Sequence, residues 1–328
     1  MDNKVKTKSP SLQGDGRFVQ LAPHIRSNET VTKIMRDVLI ALAPAVVGSV
    51  YFFGMNALII YLICIIFCVG SEYVFQKLAG KEIQIGDLSA VVTAILLAMN
   101  MPAGVPLYVP ALASMFAIII VKEAFGGIGG NFVNPALAGR AMAMVSWPQA
   151  MATYTAPAAA AAAGDAVSAA TPLMIIKSGE NLASLPPLSD MFLGNIGGVI
   201  GETSALLLLI GACYLLIRKV IDWKIPVIYI LTTIVFLFIF GISTELMPYE
   251  IFGGGLMLGA LFMATDYSST PQGTKGKIIF AIGCGLLTAL IRMKGNMAEG
   301  VSFSILLMNV ASPLIERLTK TEAYGEAK

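Results

Sequence analysis

Ten apolar runs, separated by short polar or glycine-rich breaks, fill this chain from residue 38 to residue 316. They fall at roughly 38–53, 57–76, 88–101, 107–121, 135–148, 196–217, 226–243, 250–265, 277–292 and 301–316. No soluble core could bury so much apolar surface, whereas lipid can act as its solvent. The composition agrees: 56% of the 328 residues are hydrophobic and 13% charged, where soluble domains are about one quarter charged. The expected fold class is an all-α polytopic membrane protein. Several runs are too short to cross alone: at about 1.5 Å per residue, 88–101 reaches about 21 Å of a roughly 30 Å hydrocarbon core. Short, Gly/Pro-interrupted segments of this kind fit half-helices whose broken ends are buried in protein.

Charge placement orients the chain. With the N-terminus inside, 18 of the 22 Lys and Arg residues fall in cytoplasmic segments, Arg140 lies within a span, and Lys177, Arg292 and Lys294 fall outside. The N-terminal residues are polar and basic for some 36 positions, unlike a signal peptide. The expected plan is a cytoplasmic arm (1–36), a first five-segment repeat (37–148), an extracytoplasmic loop (149–195), a second repeat (196–317) and a cytoplasmic tail (318–328). An odd number of spans in each half requires the halves to be inverted if they are related. Weak internal similarity supports a relation, since segment five follows Gly129-Gly130-Asn131 and segment ten follows Gly295-Asn296. The formal net charge of +2 gives no reason to expect a nucleic-acid partner.

The loop between the halves carries Asp165-Ala166-Val167-Ser168-Ala169-Ala170-Thr171-Pro172. An acidic residue six positions before a Thr, with Ser and two Ala between, resembles the motif on which flavin transferases attach FMN as a phosphoester. The Thr171 hydroxyl would attack a flavin dinucleotide's pyrophosphate. Small neighbours such as Ser168 would admit the bulky flavin and the second enzyme, and Asp165 would help place the motif or its Mg2+. For Asp165 the alternative is a solvated loop charge.

Further stretches make the resemblance broader. They are Pro23-His24-Ile25-Arg26-Ser27, Ile34-Met35-Arg36-Asp37-Val38, the run from Gly127 through Asn131, Asn134 and Arg140 to Ala141, Gly194 through Glu202 to Ser204, and Met263-Ala264-Thr265-Asp266. Together with the Thr171 motif they span about residues 20–317, and they resemble the RnfD/NqrB family of ion-translocating oxidoreductase membrane subunits, with the short N-terminus fitting the Rnf branch. The resemblance implies one membrane component of a multi-subunit, Na+- or H+-translocating ferredoxin:NAD+ oxidoreductase in a prokaryotic cytoplasmic (inner) membrane, inactive alone. It implies covalent FMN at Thr171 and a second, noncovalent flavin such as riboflavin. The implied partners are other Rnf subunits, including a second covalent-FMN subunit and iron–sulfur subunits, and a flavin transferase for maturation. The five-plus-five plan also resembles urea-transporter-like channels, so a solute transporter without redox chemistry is the competing class; such a transporter has no use for a flavinylation site.

Other residues have two readings each. Asn131 and Asn134 offer amide donors and acceptors that match the N–C=O edge of an isoalloxazine ring, and the glycines at 126, 127, 129 and 130 permit close backbone approach. Alternatively, Asn134 caps segment five, with Pro135 as first helical residue. Arg140 within a span requires a partner: Glu202, Asp266 or a flavin phosphate. Glu202 could shape the covalent flavin's site or bind a cation. Asp266, beside Thr265 and Ser268, is either a Na+ or H+ coupling ligand at an unwound helix end or a boundary charge. Glu299 and Glu316 are weaker versions of the same idea. Cys64 and Cys68 read as packing residues, because cluster ligation needs four thiolates and no CxxC spacing occurs.

Overall fold

A computed structural model describes residues 29–155, 157, 170–179, 182–202, 204–295 and 297–319. Residues 1–30 and 31–328 form separate units, and of the first only Glu29 and Thr30 are described. The second unit is helical. The described residues include an isolated antiparallel β bridge between Pro102 and Val199.

Each of the ten apolar runs contains helix. The first half comprises α1 (Val31–Phe53), α2 (Met55–Leu78), α3 (Ser89–Met99), α4 (Tyr108–Met115, continued as a π-helix over Phe116–Glu123) and α5 (Pro135–Ser146). The connecting residues hold α6 (Pro148–Ala152), α7 (Pro172–Ser178) and α8 (Leu188–Leu193). The second half comprises α9 (Ala205–Ile217), α10 (Lys224–Ile239), α11 (Met247–Phe252), α12 (Leu256–Leu258, continued as a π-helix over Gly259–Met263), α13 (Thr274–Lys294) and α14 (Val301–Leu318). Four of these, α1, α2, α13 and α14, are long and apolar enough to cross a membrane.

Two boundaries differ most from expectation. The first helix starts at Val31 rather than near 37, so the last six residues of the expected arm are helical. The sixth run, expected as helix from 196, becomes helical only at Ala205, where the Ser204 hydroxyl accepts from Leu207 N. The residues before it bond elsewhere: Ile200 N donates to Met101 O at 3.0 Å and Gly201 N to Met99 O at 2.8 Å. A Cβ on Gly201 would sit 2.3 Å from that of Met99, so only glycine permits this approach. The broken end of α3 is thereby tied to the segment opening the second half.

Packing joins the halves through α1 against α9 and α5 against α14, while α10 lies along α13. The main apolar core includes Leu97, Met99, Leu137, Ile200, Leu258 and Met263, and a smaller cluster holds Leu237, Met247 and Ala289. Buried charges are paired. Lys122 bonds Glu72 at 2.6 Å and the Ser89 hydroxyl at 2.6 Å. Arg292 bonds the Glu250 carboxylate at 2.9 Å and also the carbonyls of Glu250 and Gly253.

Candidate functional site

Asn134 starts the central construction. Its side-chain oxygen accepts from Ala136 N at 3.0 Å and Leu137 N at 3.2 Å, with Pro135 in the first turn of α5. This helix start projects Arg140 into the middle of the molecule, where it is 4% exposed. One Nη of its guanidinium donates to Asn100 Oδ1 at 2.5 Å and Glu202 Oε1 at 3.0 Å, and the other to Glu299 Oε2 at 2.6 Å. Asn100 is itself held by a bond from its amide to Leu96 O at 2.6 Å. The second oxygen of Glu299 accepts from Gly255 N at 2.5 Å. A Cβ on Gly255 would fall 2.2 Å from that carboxylate, so the turn before α12 can approach only as glycine. Three separate breaks in the helices thus meet at one guanidinium, whose planar fork satisfies several acceptors at once, and the Gly255 turn joins them through Glu299.

Of the partners expected for Arg140, Glu202 is present and Asp266 is not; Glu299 and Asn100 complete the set. Asp266 lies elsewhere, accepting from the hydroxyls of Ser268 at 3.0 Å and Ser269 at 2.9 Å. Sequence reasoning underrated Glu299 because the pair is 159 positions apart and no local pattern joins them.

Above the Arg140 centre opens a cavity of about 270 Å³, lined by Tyr154, Thr171, Leu173, Gly197, Gly198, Glu202, Met297 and Glu299, among others. Glu202 and Glu299 supply its ionisable floor. Burial, and then the nearby Glu299 charge, push the Tyr154 phenol up to about 12, leaving it a hydrogen-bond donor at neutral pH. Thr171 is half-buried at the wall. Its hydroxyl oxygen accepts from Met174 N at 3.3 Å, and Pro172 begins α7, so Thr171 is also a helix cap. Asp165 and Ser168 lie outside the described residues.

A second, smaller cavity of about 100 Å³ is lined by Ser89, Thr93, Lys122, Asn131, Asn134, Asp266 and Tyr267, with apolar neighbours. The amide of Asn131 donates to Val133 O at 3.1 Å and to the Ser268 hydroxyl at 2.9 Å, while that of Asn134 donates to Met263 O at 3.4 Å. The structure therefore brings Asn131, Asn134 and Asp266 to one cavity and Glu202 and Thr171 to the other, with Arg140 bonded to Glu202 behind it. Among the described residues no three His, Cys, Asp or Glu side chains come together as a metal site. Cys64, Cys68 and Cys284 are buried free thiols in the apolar core.

Comparison with known proteins gives a consistent match. Residues 18–325 match the NQR2, RnfD, RnfE family. The chain is 50% identical over 312 residues to the D subunit of the Na+-translocating ferredoxin:NAD+ oxidoreductase complex of Acetobacterium woodii, covering 94% of this chain and 96% of that one. It is 44% identical over 318 residues to the D subunit of the proton-translocating ferredoxin:NAD+ oxidoreductase complex of Clostridium ljungdahlii, with 94% and 96% covered. The D subunit of the ion-translocating oxidoreductase complex of Stutzerimonas stutzeri is 35% identical over 335 residues, with 92% and 93% covered.

Proposed function

The chain belongs to the NQR2, RnfD, RnfE family, and from that membership we propose that it is the membrane-embedded D subunit of an ion-translocating ferredoxin:NAD+ oxidoreductase complex, carrying FMN as a phosphoester on Thr171. The observation that carries the reading is near full-length similarity to proteins bearing that name. The position of Thr171 on the wall of a cavity with a charged floor supports the attachment. FMN bound there supplies one- and two-electron transfer. The chain's own residues do the rest. Pro172 and the Met174 N–H orient the Thr171 hydroxyl. Gly197 and Gly198 leave wall space for a planar ring, and the Arg140 guanidinium fixes both floor carboxylates.

A noncovalent flavin, such as riboflavin, is assigned by the same reading to the second cavity. Its donors fit in kind: Asn131 and Asn134 present amides, and Lys122 and Ser89 line the same space. Its volume of about 100 Å³ is below the roughly 300 Å³ usual for such ligands, and Asn134 already caps α5. Binding therefore requires Asn131 to exchange its Ser268 bond for the ligand. Acid extraction of purified complex tests this site, because it leaves ester-linked FMN in place. Asn131→Leu/Asn134→Ala should release one equivalent fewer of free flavin; unchanged release from a folded variant places that flavin elsewhere.

The coupling ion is Na+ or a proton, since relatives named for each lie at 50% and 44% identity. Asp266, with its two Ser hydroxyls beside the second cavity, is the proposed coupling carboxylate. The ten-segment inverted plan belongs to the same reading, and two contacts between the halves support it. The residues before segment five bond the end of segment eight (Asn134 to Met263) and the break after it (Asn131 to Ser268). Glu299, before segment ten, meets Asn100, after segment three, on the same guanidinium. Both termini are then cytoplasmic and Thr171 extracytoplasmic. The complex's activity tests the whole reading: membranes lacking this chain should lose ferredoxin-driven NAD+ reduction, and its return should restore it. Undiminished activity without the chain would refute the assignment.

A further inference from the structure

The helix that begins at Thr171 is fastened at two points one turn apart. Leu173 is buried and seats against Gly253 and Gly254, where a Cβ on Gly254 would come within 2.6 Å of Leu173 Cδ1. Four residues on, and hence on the same face of α7, the Lys177 ammonium donates to the carbonyls of both Gly295 and Met297. Those carbonyls sit just past the end of α13, and two residues beyond them is Glu299, which holds Arg140. Gly254, the notch for Leu173, adjoins Gly255, whose N–H bonds Glu299. Both fastenings therefore end on the turns that frame the floor of the larger cavity.

We infer that Lys177 is a positioning residue, latching the Thr171 helix to the turn after α13 and so holding the FMN of Thr171 over the Glu202–Glu299 floor. The inference rests on the reading that Thr171 carries FMN. The lysine is suited to the task because its three N–H donors can span the two carbonyls just past the end of α13, and a cation there also meets the negative end of the helix dipole. Burial lowers the Lys177 pKa, which the Glu250 charge opposes. Leu173 alone fixes where the helix rests; Lys177 fixes its rotation about that point.

The test uses the purified complex with Lys177→Met, Lys177→Arg and, as control, Lys294→Met, which removes an exposed charge from the last turn of the same α13. Three quantities are read: flavin retained by the chain in a denaturing gel, iodide quenching of flavin fluorescence in the folded complex, and the FMN midpoint potential. Lys177→Met should keep its covalent flavin, raise the iodide-accessible fraction roughly tenfold, as loss of charge-assisted bonds implies, and shift the potential. Lys177→Arg, which can also bridge two carbonyls, should return both toward wild type, and Lys294→Met should match wild type. Should Lys177→Met fail to accumulate, Lys177→Gln, with one donor group, should give an intermediate quenching. Quenching and potential unchanged in Lys177→Met or Lys177→Gln, or changed equally in Lys294→Met, overturn the latch while leaving Thr171 as the anchor. A wild-type chain without covalent flavin instead defeats the Thr171 reading, and the latch with it.

Discussion

At the scale of single residues, Arg140 organises the molecule. It is buried, and its fork reaches Asn100, Glu202 and Glu299 from one position on α5. Removing one partner of a buried ion pair leaves uncompensated charge and costs about 3–5 kcal/mol. Arg140→Met should therefore lower the thermal stability of the solubilised protein sharply. Arg140→Lys should recover only part of it, because a single ammonium cannot reproduce the planar fork. Equal stability of Arg140→Met and wild type would show that the carboxylates find other partners. The need for a partner was legible in the sequence, as was Glu202. Glu299 was not, because its placement depends on the Gly253–Gly255 turn folding back from a distant segment. Asn134 was the reverse case: an Asn-Pro pair announces its helix cap locally, and the cap is present.

At the scale of elements, the pattern of apolar runs located the helices of the two halves, but neither all their ends nor the break between α11 and α12 within the run 250–265. Apolarity marks what lipid or protein can cover; it does not say whether the covered backbone is helical. Residues 196–201 are apolar and Gly-rich, yet Ile200 and Gly201 bond the broken end of α3 rather than extend α9. The crossing of α1 and α9 is a second such contact. A Cβ on Gly211 would lie 2.1 Å from Ala41 O, so α9 approaches α1 as closely as glycine permits, as small residues allow in membrane helices. Asp37 adds a staple to this crossing, bonded by Tyr214 at 3.1 Å and by Arg218 at 3.0 Å. Gly211→Leu should force the helices apart and destabilise by about 1–3 kcal/mol, read as a fall in melting temperature of the detergent-solubilised chain. Gly283→Leu is the comparison, because the side chain in its way is the flexible Met308, which can move. If both variants melt alike, the close crossing is not a determinant of stability.

At the scale of the whole molecule, the two cavities have separate linings, Glu202 and Glu299 at one and Asn131, Asn134 and Asp266 at the other, and the proposed plan is two inverted halves. The sequence argument for an inverted plan is indirect, resting on basic residues and an odd number of runs per half. Contacts between the halves were invisible to it, because bonds such as Asn131 to Ser268 join residues 137 positions apart. Reporter fusions after residue 180 and at residue 328 should report opposite sides of the membrane. Equal accessibility of the two would refute the topology and the inverted repeat together. The central claim is chemical, and it is tested most directly on the peptide that ends at Lys177. Tryptic digestion of the purified chain should yield that peptide heavier by FMN less one water, with the added mass on Thr171. Thr171→Val, nearly isosteric, should abolish it while the protein still inserts. An unmodified Thr171 in the active complex, or covalent flavin surviving in Thr171→Val, would contradict the account.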